Sequence, residues 1–216
     1  MTKIKMIIRS IITNPFYQNV WIVSEETDNT AVLVDPGAEP EKILSYLEKN
    51  ALTPLAILCT HAHPDHISAV SAIQKSFPIP CYLHRNDRQT LEESMMLGQM
   101  LGFGAFDLPD DLRWIDRDEA LAFGKMAFQV IHTPGHTPGS VCFQIGDSLL
   151  SGDTLFAGAV GRVDLPGGSW KMLAKSLEKL STLPESLTVY PGHGLQTTMR
   201  EELRSNPYLN SNSVPV

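Results

Sequence analysis

Cysteine is scarce in this sequence. The chain has three cysteines, Cys59, Cys81 and Cys142, which cannot all pair with one another, and none of them lies in a C-x-x-C arrangement. This pattern argues against a disulfide framework. All three lie in apolar stretches typical of strands, so we expect buried free thiols in a reducing compartment and a cytoplasmic protein.

Basic residues and long apolar runs are scarce as well. Lysine and arginine total 17 against 24 aspartate and glutamate residues, the formal charge is −7, and no basic stripe is present. A nucleic-acid partner is therefore not expected, because nucleic-acid surfaces need clustered basic residues. No run approaches the ~20 apolar residues of a membrane span. Because Asn14-Pro15 also interrupts the apolar N-terminal stretch, we expect neither a signal sequence nor a membrane partner.

What the chain does contain is an alternation of short apolar runs and helical patterns. Its 216 residues fit one domain, which we expect to span residues 1–210 with a loose tail at 211–216. Apolar runs separated by turn residues predict consecutive strands between residues 3 and 34 and a closing strand at 188–190. Apolar residues at helical spacing predict helices near 40–50, 67–76 and 86–101, and a last amphipathic helix that starts near Ser169.

The segment His61-Ala62-His63-Pro64-Asp65-His66 places three histidines and an aspartate within six residues, directly after an apolar strand. His61 and His63 are two apart on an extended segment and project toward the same side. Asp65 and His66 follow where the chain turns, so they can point toward a second centre nearby. Desolvating so many titratable groups is costly unless a cation compensates. The cluster therefore predicts a metal site.

Three further polar loops follow apolar strands. One loop at 133–139 presents His136 in a stiff Thr-Pro-Gly turn, a second places Asp153 after Leu149-Leu150, and a third holds His193 between two glycines. Each loop alone is weak evidence. Strands that end in short polar loops at one edge of a fold nevertheless form a rigid platform for a site.

The order of these segments resembles that of the metallo-β-lactamase superfamily over nearly the whole chain. The resemblance is carried by the H-x-H-x-D-H cluster, the G-H-T-P-G loop, the G-D-T-L-F strand end and the P-G-H-G turn. It implies an α/β fold of one domain, a four-layer αββα sandwich, with the site at one edge of the two sheets.

The resemblance also implies a role for each candidate residue. Its ligand set would be His61, His63 and His136 for a first metal ion, Asp65, His66 and His193 for a second, and Asp153 as a bridge between them. Asp35 would support the ligand loop by hydrogen bonding rather than by binding metal. His132 is an alternative to His136 as a ligand, although the family pattern favours His136, and His84 is expected at a loop or pocket rim. We expect two divalent ions, Zn²⁺ with Fe or Mn as alternatives.

Such a site implies a hydrolase. The metal ions make hydroxide available near neutral pH and polarise a carbonyl group, and Asp65 is the candidate catalytic residue that orients the hydroxide. Asp153 stands where many true β-lactamases of this fold carry cysteine, and together with His66 it counts against a β-lactam substrate.

The segments at 161–168 and 206–208 are similar to those of short bacterial relatives of glyoxalase II, hydroxyacylglutathione hydrolase. This resemblance implies hydrolysis of a small thioester such as S-lactoylglutathione. Full-length glyoxalase II enzymes add a C-terminal helical segment that supplies much of the glutathione binding, so we expect weaker glutathione binding here. Arg162 is a candidate for contacting an anionic substrate, but a salt bridge to Asp164 that holds the loop is an equally open interpretation.

Two other functions remain open within the superfamily. An iron-dependent persulfide dioxygenase would use a single Fe²⁺ held by two histidines and one carboxylate, namely His61, His136 and Asp153. A hydrolase of another ester or a lactone would use the same two-metal site as a thioesterase. Metal content and oxygen consumption would separate the dioxygenase from both hydrolases.

Overall fold

The structure is a computed structural model that describes residues 6–210, so the tail predicted at 211–216 lies outside the described residues. Strands β1 to β14 are Met6–Thr13, Gln18–Glu25, Thr30–Val34, Thr53–Leu58, Cys81–His84, Leu112–Ile115, Ala120–Phe123, Met126–His132, Val141–Ile145, Ser148–Gly152, Leu155–Phe156, Ala159–Val160, Thr188–Pro191 and Thr197–Thr198. Helices α1 to α7 are Pro40–Lys49, Pro64–Ile67, Val70–Ser76, Arg88–Met100, Trp170–Ser181, Met199–Ser205 and Pro207–Asn210.

Twelve of these strands form two six-stranded mixed sheets. The first sheet has the order β1-β2-β3-β4-β5-β6, and the second has the order β14-β13-β10-β9-β8-β7. Strands β3 to β6 pair in parallel, as do β10 and β13, while the remaining pairs within the two sheets are antiparallel. Because β8, β10 and β13 run in one direction, their carboxyl ends lie at the same edge of the second sheet.

Three apolar clusters separate the layers. The first packs α1, α3 and α4 against the outer face of the first sheet, and the third packs α5 and α6 against the outer face of the second. Between the sheets, Val32 and Leu58 of the first sheet meet Phe128 and Phe143 of the second, all fully buried. Burial on both faces explains why these strands are nearly continuous apolar runs. The predicted αββα sandwich is confirmed.

Local sequence explains where the longer helices begin. Pro40 occupies the first turn of α1, where a missing N–H costs nothing. Ser169 caps α5, because its hydroxyl oxygen accepts a hydrogen bond from the Met172 N–H at 3.4 Å. Leu173 and Leu177, four residues apart, lie on the buried face of that helix, which packs against the second sheet. The start predicted for this helix is confirmed.

Two predictions about helices and strands were wrong. The helix predicted at 67–76 ends at Ser76 as expected but begins three residues later, as α3, because α2 ends at Ile67 and the Ala69 N–H donates to the Pro36 carbonyl oxygen at 3.1 Å. The helix that starts after Ser169 is not the last, since α6 and α7 follow it, and β14 pairs beyond the predicted closing strand. Helices α6 and α7 are too short to show a clear helical period in the sequence.

The three cysteines are free and buried, as expected. Sγ of Cys59 lies 3.5 Å from Sγ of Cys81 on the neighbouring strand, and burial raises the pKa of the Cys142 thiol to about 11. The Cys142 thiol is therefore a protonated packing group at neutral pH. Among residues 6–210, no helix is both long and apolar enough to cross a membrane.

Candidate metal centre

Each predicted ligand lies at the carboxyl end of a strand or in the loop that follows it. The 61–66 segment follows β4, and Asp35 follows the parallel neighbour β3. In the second sheet, His136 follows β8, Asp153 follows β10 and His193 follows β13. The strand ends of the two sheets meet at one edge of the sandwich, and this brings together residues that are far apart in the chain.

One group of three histidines converges there through ring nitrogens. Nε2 of His61 lies 3.1 Å from Nδ1 of His63, which lies 2.9 Å from Nε2 of His136. All three side chains are buried. Three imidazole nitrogens in such contact form the donor set of a tetrahedral metal with one position open.

A second group joins the first through carboxylates. Nε2 of His193 lies 3.1 Å from Oδ2 of Asp65, and Nε2 of His66 lies 3.6 Å from the same oxygen. Asp153 lies between the groups, since its Oδ1 is 3.4 Å from Nε2 of His66 and its Oδ2 is 3.6 Å from Nε2 of His136. All seven residues predicted as ligands are thus brought together.

Two atoms in this cluster are buried without a hydrogen-bond partner among the described residues. They are Nε2 of His66 and Oδ1 of Asp153. An unpaired buried polar atom costs free energy, and native proteins rarely leave one without a ligand or an ion. Both atoms face the other ligand atoms, so a cation at this position would satisfy them. The residues therefore fit bound metal.

The outward-facing ring nitrogens hold the histidines in place. Nδ1 of His66 donates to Oδ2 of Asp35 at 2.9 Å, and Nδ1 of His136 donates to the Arg162 carbonyl oxygen at 2.7 Å. Nδ1 of His193 is 3.2 Å from the Phe16 carbonyl oxygen. Each contact fixes the tautomer that leaves Nε2 free as a metal ligand.

Asp35 forms hydrogen bonds with the ligand loop at more than one point. Its Oδ1 accepts from the Thr60 backbone N–H at 2.6 Å, and its Oδ2 accepts from the Thr60 hydroxyl at 2.7 Å. The Thr60 hydroxyl oxygen in turn lies 3.1 Å from Nδ1 of His61. Asp35 has a φ of 54°, in the left-handed region that non-glycine residues seldom adopt.

The protonation states of the histidines differ between the two groups. Burial lowers the pKa of His61 well below its ordinary value and lowers the pKa of His63 to about 3. Both are therefore neutral near pH 7, which is the form that binds metal. Burial opposes charge on His66, but the carboxylates of Asp153, Asp65 and Asp35 outweigh this effect and raise its pKa well above the ordinary value.

The turn that carries His193 approaches the cluster closely. A Cβ atom on Gly192 would collide with Oδ1 of Asp153 and would lie 2.7 Å from Cε1 of His66. Glycine is therefore required at this position for the strand end of β13 to reach the site.

Two histidines and an arginine have other roles. His132 packs its ring against His84, with centroids 4.1 Å apart and planes at 10°, and its Nε2 lies 3.0 Å from the Pro138 carbonyl oxygen. His136, not His132, thus joins the cluster, and the prediction of a loop or rim position for His84 was wrong because that side chain is buried at the end of β5. The Arg162 side chain forms a two-point salt bridge with Asp164, at 2.7 and 2.6 Å.

Sequence reasoning missed two residues that organise the site. Thr60 links Asp35 to His61, and its position directly before the cluster was a usable signal. Asp87 is fully buried and accepts hydrogen bonds from the 61–66 loop and from the loop at 133–139. It is a lone acidic residue near the start of a helix, so no motif marked it.

Comparison with known proteins identifies the family. The model of the metallo-β-lactamase superfamily matches residues 13–193, most of the chain. This protein belongs to the metallo-β-lactamase superfamily. The probable metallo-hydrolase YqgX of Bacillus subtilis is 41% identical over 193 residues, covering 87% of this chain and 91% of YqgX. Hydroxyacylglutathione hydrolase GloC of Haemophilus influenzae is 34% identical over 215 residues, covering 96% of this chain and 100% of GloC.

Solved structures agree with this placement in the metallo-β-lactamase superfamily. BLEG-1, a B3 metallo-β-lactamase, superposes with a TM-score of 0.87 at 38% identity, covering 95% of this chain and 100% of BLEG-1. TTHA1623 in a di-iron-bound form has a TM-score of 0.85 at 41% identity, covering 93% and 100%. ETHE1 from Myxococcus xanthus has a TM-score of 0.78 at 28% identity, covering 93% and 83%.

This metallo-β-lactamase superfamily member is therefore a metal-binding enzyme of the metallo-hydrolase type. The His/Asp cluster and the di-iron relative together support two metal ions.

Proposed function

We propose that this protein is a glyoxalase II-type thioesterase that hydrolyses a small acyl thioester, such as the glutathione-derived S-lactoylglutathione. The observation that carries the proposal is the 34% identity to GloC over essentially the full length of both chains. The complete His/Asp cluster supports hydrolysis as the reaction type. The buried free thiols favour a cytoplasmic location.

The ligand roles in this proposal follow the two converging groups. His61, His63 and His136 would hold the first ion, and Asp65, His66 and His193 would hold the second. Asp153 would contribute to both positions, because its oxygens face a histidine from each group. We propose Zn²⁺ in both positions, since imidazole and carboxylate ligands suit it, and the di-iron relative makes iron the principal alternative.

When bound, such ions supply a nucleophile at neutral pH and polarise the thioester carbonyl. The protein positions the reactants. Asp65 lies at the centre with its Oδ2 beside His193, and its pKa is lowered because facing His66 and His193 outweigh the effect of burial. It therefore stays ionised and accepts a hydrogen bond from the attacking water.

The leaving group also favours a thioester. Thiols have a pKa near 8.5, so a thiolate can leave near neutral pH without taking a proton first, whereas the amine of a lactam or amide needs one. Asp65 and Asp153 both have a lowered pKa and are poor proton donors. Because these two carboxylates are poor proton donors, the site suits a leaving group that departs as a thiolate without first taking a proton.

A second candidate is an iron-dependent persulfide dioxygenase that uses His61, His136 and Asp153. The similarity to ETHE1 and the iron bound by TTHA1623 are the observations that favour it. It differs from the thioesterase in needing one Fe²⁺ and oxygen.

One experiment separates these candidates. Protein purified without added metal is analysed for metal content and assayed with S-lactoylglutathione, with glutathione persulfide under oxygen monitoring, and with a chromogenic cephalosporin. The proposal expects about two ions per chain, release of free thiol, and a fall in kcat on the order of 10²-fold in Asp65→Asn. A single iron with oxygen uptake on persulfide would replace it with the second candidate. Faster turnover of the cephalosporin, or of a lactone or a simple ester assayed in the same way, would replace the thioester as the proposed substrate.

A further inference from the structure

Asp87 is a buried carboxylate that lies outside the metal cluster. It ends the single 3₁₀ turn at Arg85–Asp87, between β5 and α4, and its side chain is fully shielded from solvent. Its Oδ2 accepts from the Ala62 backbone N–H and from the Thr137 hydroxyl, each at 2.9 Å. Its Oδ1 accepts from the Gly139 backbone N–H at 2.6 Å. Both oxygens are thus used as acceptors.

The three donors belong to two different ligand loops. Ala62 lies between His61 and His63 in the loop that follows β4 of the first sheet. Thr137 follows His136 directly, in the loop after β8 of the second sheet. The Asp87 carboxylate therefore links a loop of the first sheet to a loop of the second. These two loops carry the three histidines of the first group, His61, His63 and His136.

The site accepts only a carboxylate of this length. An asparagine would direct its NH₂ group at one of the N–H donors, because all three partners donate. Gly139 approaches so closely that a Cβ atom there would collide with the Asp87 backbone nitrogen, Cβ and carboxyl carbon. The backbone at Gly139 thus packs directly against Asp87.

We propose that Asp87 is a positioning residue that sets the distance between His61 and His63 on one loop and His136 on the other, and thereby the affinity of that group for a metal ion. It touches no ligand side chain and acts through backbone N–H groups and Thr137. Asp35 supports the same first loop from the other side, through Thr60 and His66. The proposal rests on the three histidines as ligands and does not depend on which substrate is hydrolysed.

The chain contains a matched control for the cost of disturbing a buried carboxylate. Glu202 is also buried and accepts from three donors: the Gly158 N–H at 2.9 Å, and the Thr197 hydroxyl and Asn206 Nδ2, both at 2.7 Å. None of these donors neighbours His61, His63 or His136 in the sequence. Glu202→Gln therefore disturbs a comparable hydrogen-bond set without touching the two ligand loops.

The test compares Asp87→Asn with Glu202→Gln by titrating metal-free protein with Co²⁺ and by amide hydrogen exchange at Ala62 and Gly139. We expect Asp87→Asn to weaken Co²⁺ binding by about 10- to 100-fold and to speed exchange at both amides. Glu202→Gln should leave both measurements as in the parent protein. Urea denaturation of both variants records the stability lost in each.

Equal Co²⁺ affinity in Asp87→Asn and the parent would overturn the proposal, and so would an equal loss of affinity in both variants. If Asp87→Asn does not fold, Thr137→Val decides, because it removes one donor and keeps the carboxylate. We then expect Co²⁺ binding to weaken by roughly 3- to 10-fold. Unchanged binding in that variant would assign Asp87 to fold stability alone.

Discussion

Oδ2 of Asp35 accepts a hydrogen bond from Nδ1 of His66 at 2.9 Å, and neither side chain is more than 1% exposed. The bond directs Nε2 of His66, one of the two unpaired buried atoms of the cluster, toward Asp65 and Asp153. The orientation of this ring therefore depends on a carboxylate that binds no metal in our assignment.

Asp35→Asn should weaken metal binding and activity together. The amide can still accept from Thr60, but it presents an NH₂ group in place of one carboxylate oxygen and weakens the contact with His66. Loss of such an outer partner costs about 10- to 100-fold in metal affinity or activity. Metal titration and kcat/KM measure the effect, with the exposed Asp116→Asn as the control. Parent-like metal binding in Asp35→Asn would show that His66 is oriented by packing alone.

The salt bridge between Arg162 and Asp164 gives a test of the substrate-contact hypothesis. Both side chains are exposed, so breaking the pair should change the free energy of unfolding very little. If the pair only shapes the loop that carries the Arg162 carbonyl, Arg162→Ala and Asp164→Ala should change KM equally and slightly. A larger rise in KM for Arg162→Ala, with an anionic substrate only, would instead show that the guanidinium binds the substrate.

His84 should make the protein sensitive to acid. Burial and the adjacent His132 lower its pKa to about 4. In the unfolded chain its pKa is near 6.5, so between these values the unfolded state binds a proton that the folded state rejects. The stabilisation that depends on neutral His84 is therefore complete above pH 6.5 and is lost as the pH falls toward 4.

The measurement is the difference in unfolding free energy between the parent protein and His84→Phe, from urea denaturation with a chelator at pH 5 to 8. Taking the difference removes the contribution of the ligand histidines. We expect the difference to be constant above pH 7 and to shift in favour of His84→Phe by about 1 kcal/mol at pH 5, because solvent screening reduces the effect of the pKa shift. A difference that does not change with pH would mean that His84 accepts a proton in the folded protein.

Metal should stabilise the folded chain. Without a cation, Nε2 of His66 and Oδ1 of Asp153 are buried and form no hydrogen bond, and a bound cation would compensate for this cost. For each site, Zn²⁺ at 100 times the dissociation constant of that site should add ~2.7 kcal/mol, which raises the Tm by roughly 5–11 °C per site in a domain of ~200 residues. Thermal unfolding after chelation and after readdition measures this. Mg²⁺ is the control, because it prefers oxygen ligands. A Tm that is the same with and without Zn²⁺ would contradict a metal centre.

The ligand set could be predicted because its signals are local. His61, His63 and His66 lie within six residues, and His136 and His193 lie in short turns after apolar strands. The four-layer fold followed from the resemblance that these motifs carry. Strand and helix positions in between came from periodicity, which is strong for α1 and α5.

The supporting contacts could not be predicted because they join distant parts of the chain. Asp87 meets Ala62 across 25 positions and Gly139 across 52, and nothing in its own neighbourhood indicates this. Arg162 contacts His136 through a carbonyl oxygen, a group that every residue has. Such contacts depend on how the loops pack, which only the three-dimensional structure shows.

The division of the ligands between the two sheets has a consequence for how the halves of the molecule hold together. In our assignment each ion takes two side chains from the 61–66 loop of the first sheet and two from loops of the second, namely Asp153 and either His136 or His193. Neither half of the sandwich can complete a coordination shell alone. Each ion is therefore a cross-link between the halves, and its removal should let the site edge of the sandwich open more readily while the opposite edge stays closed.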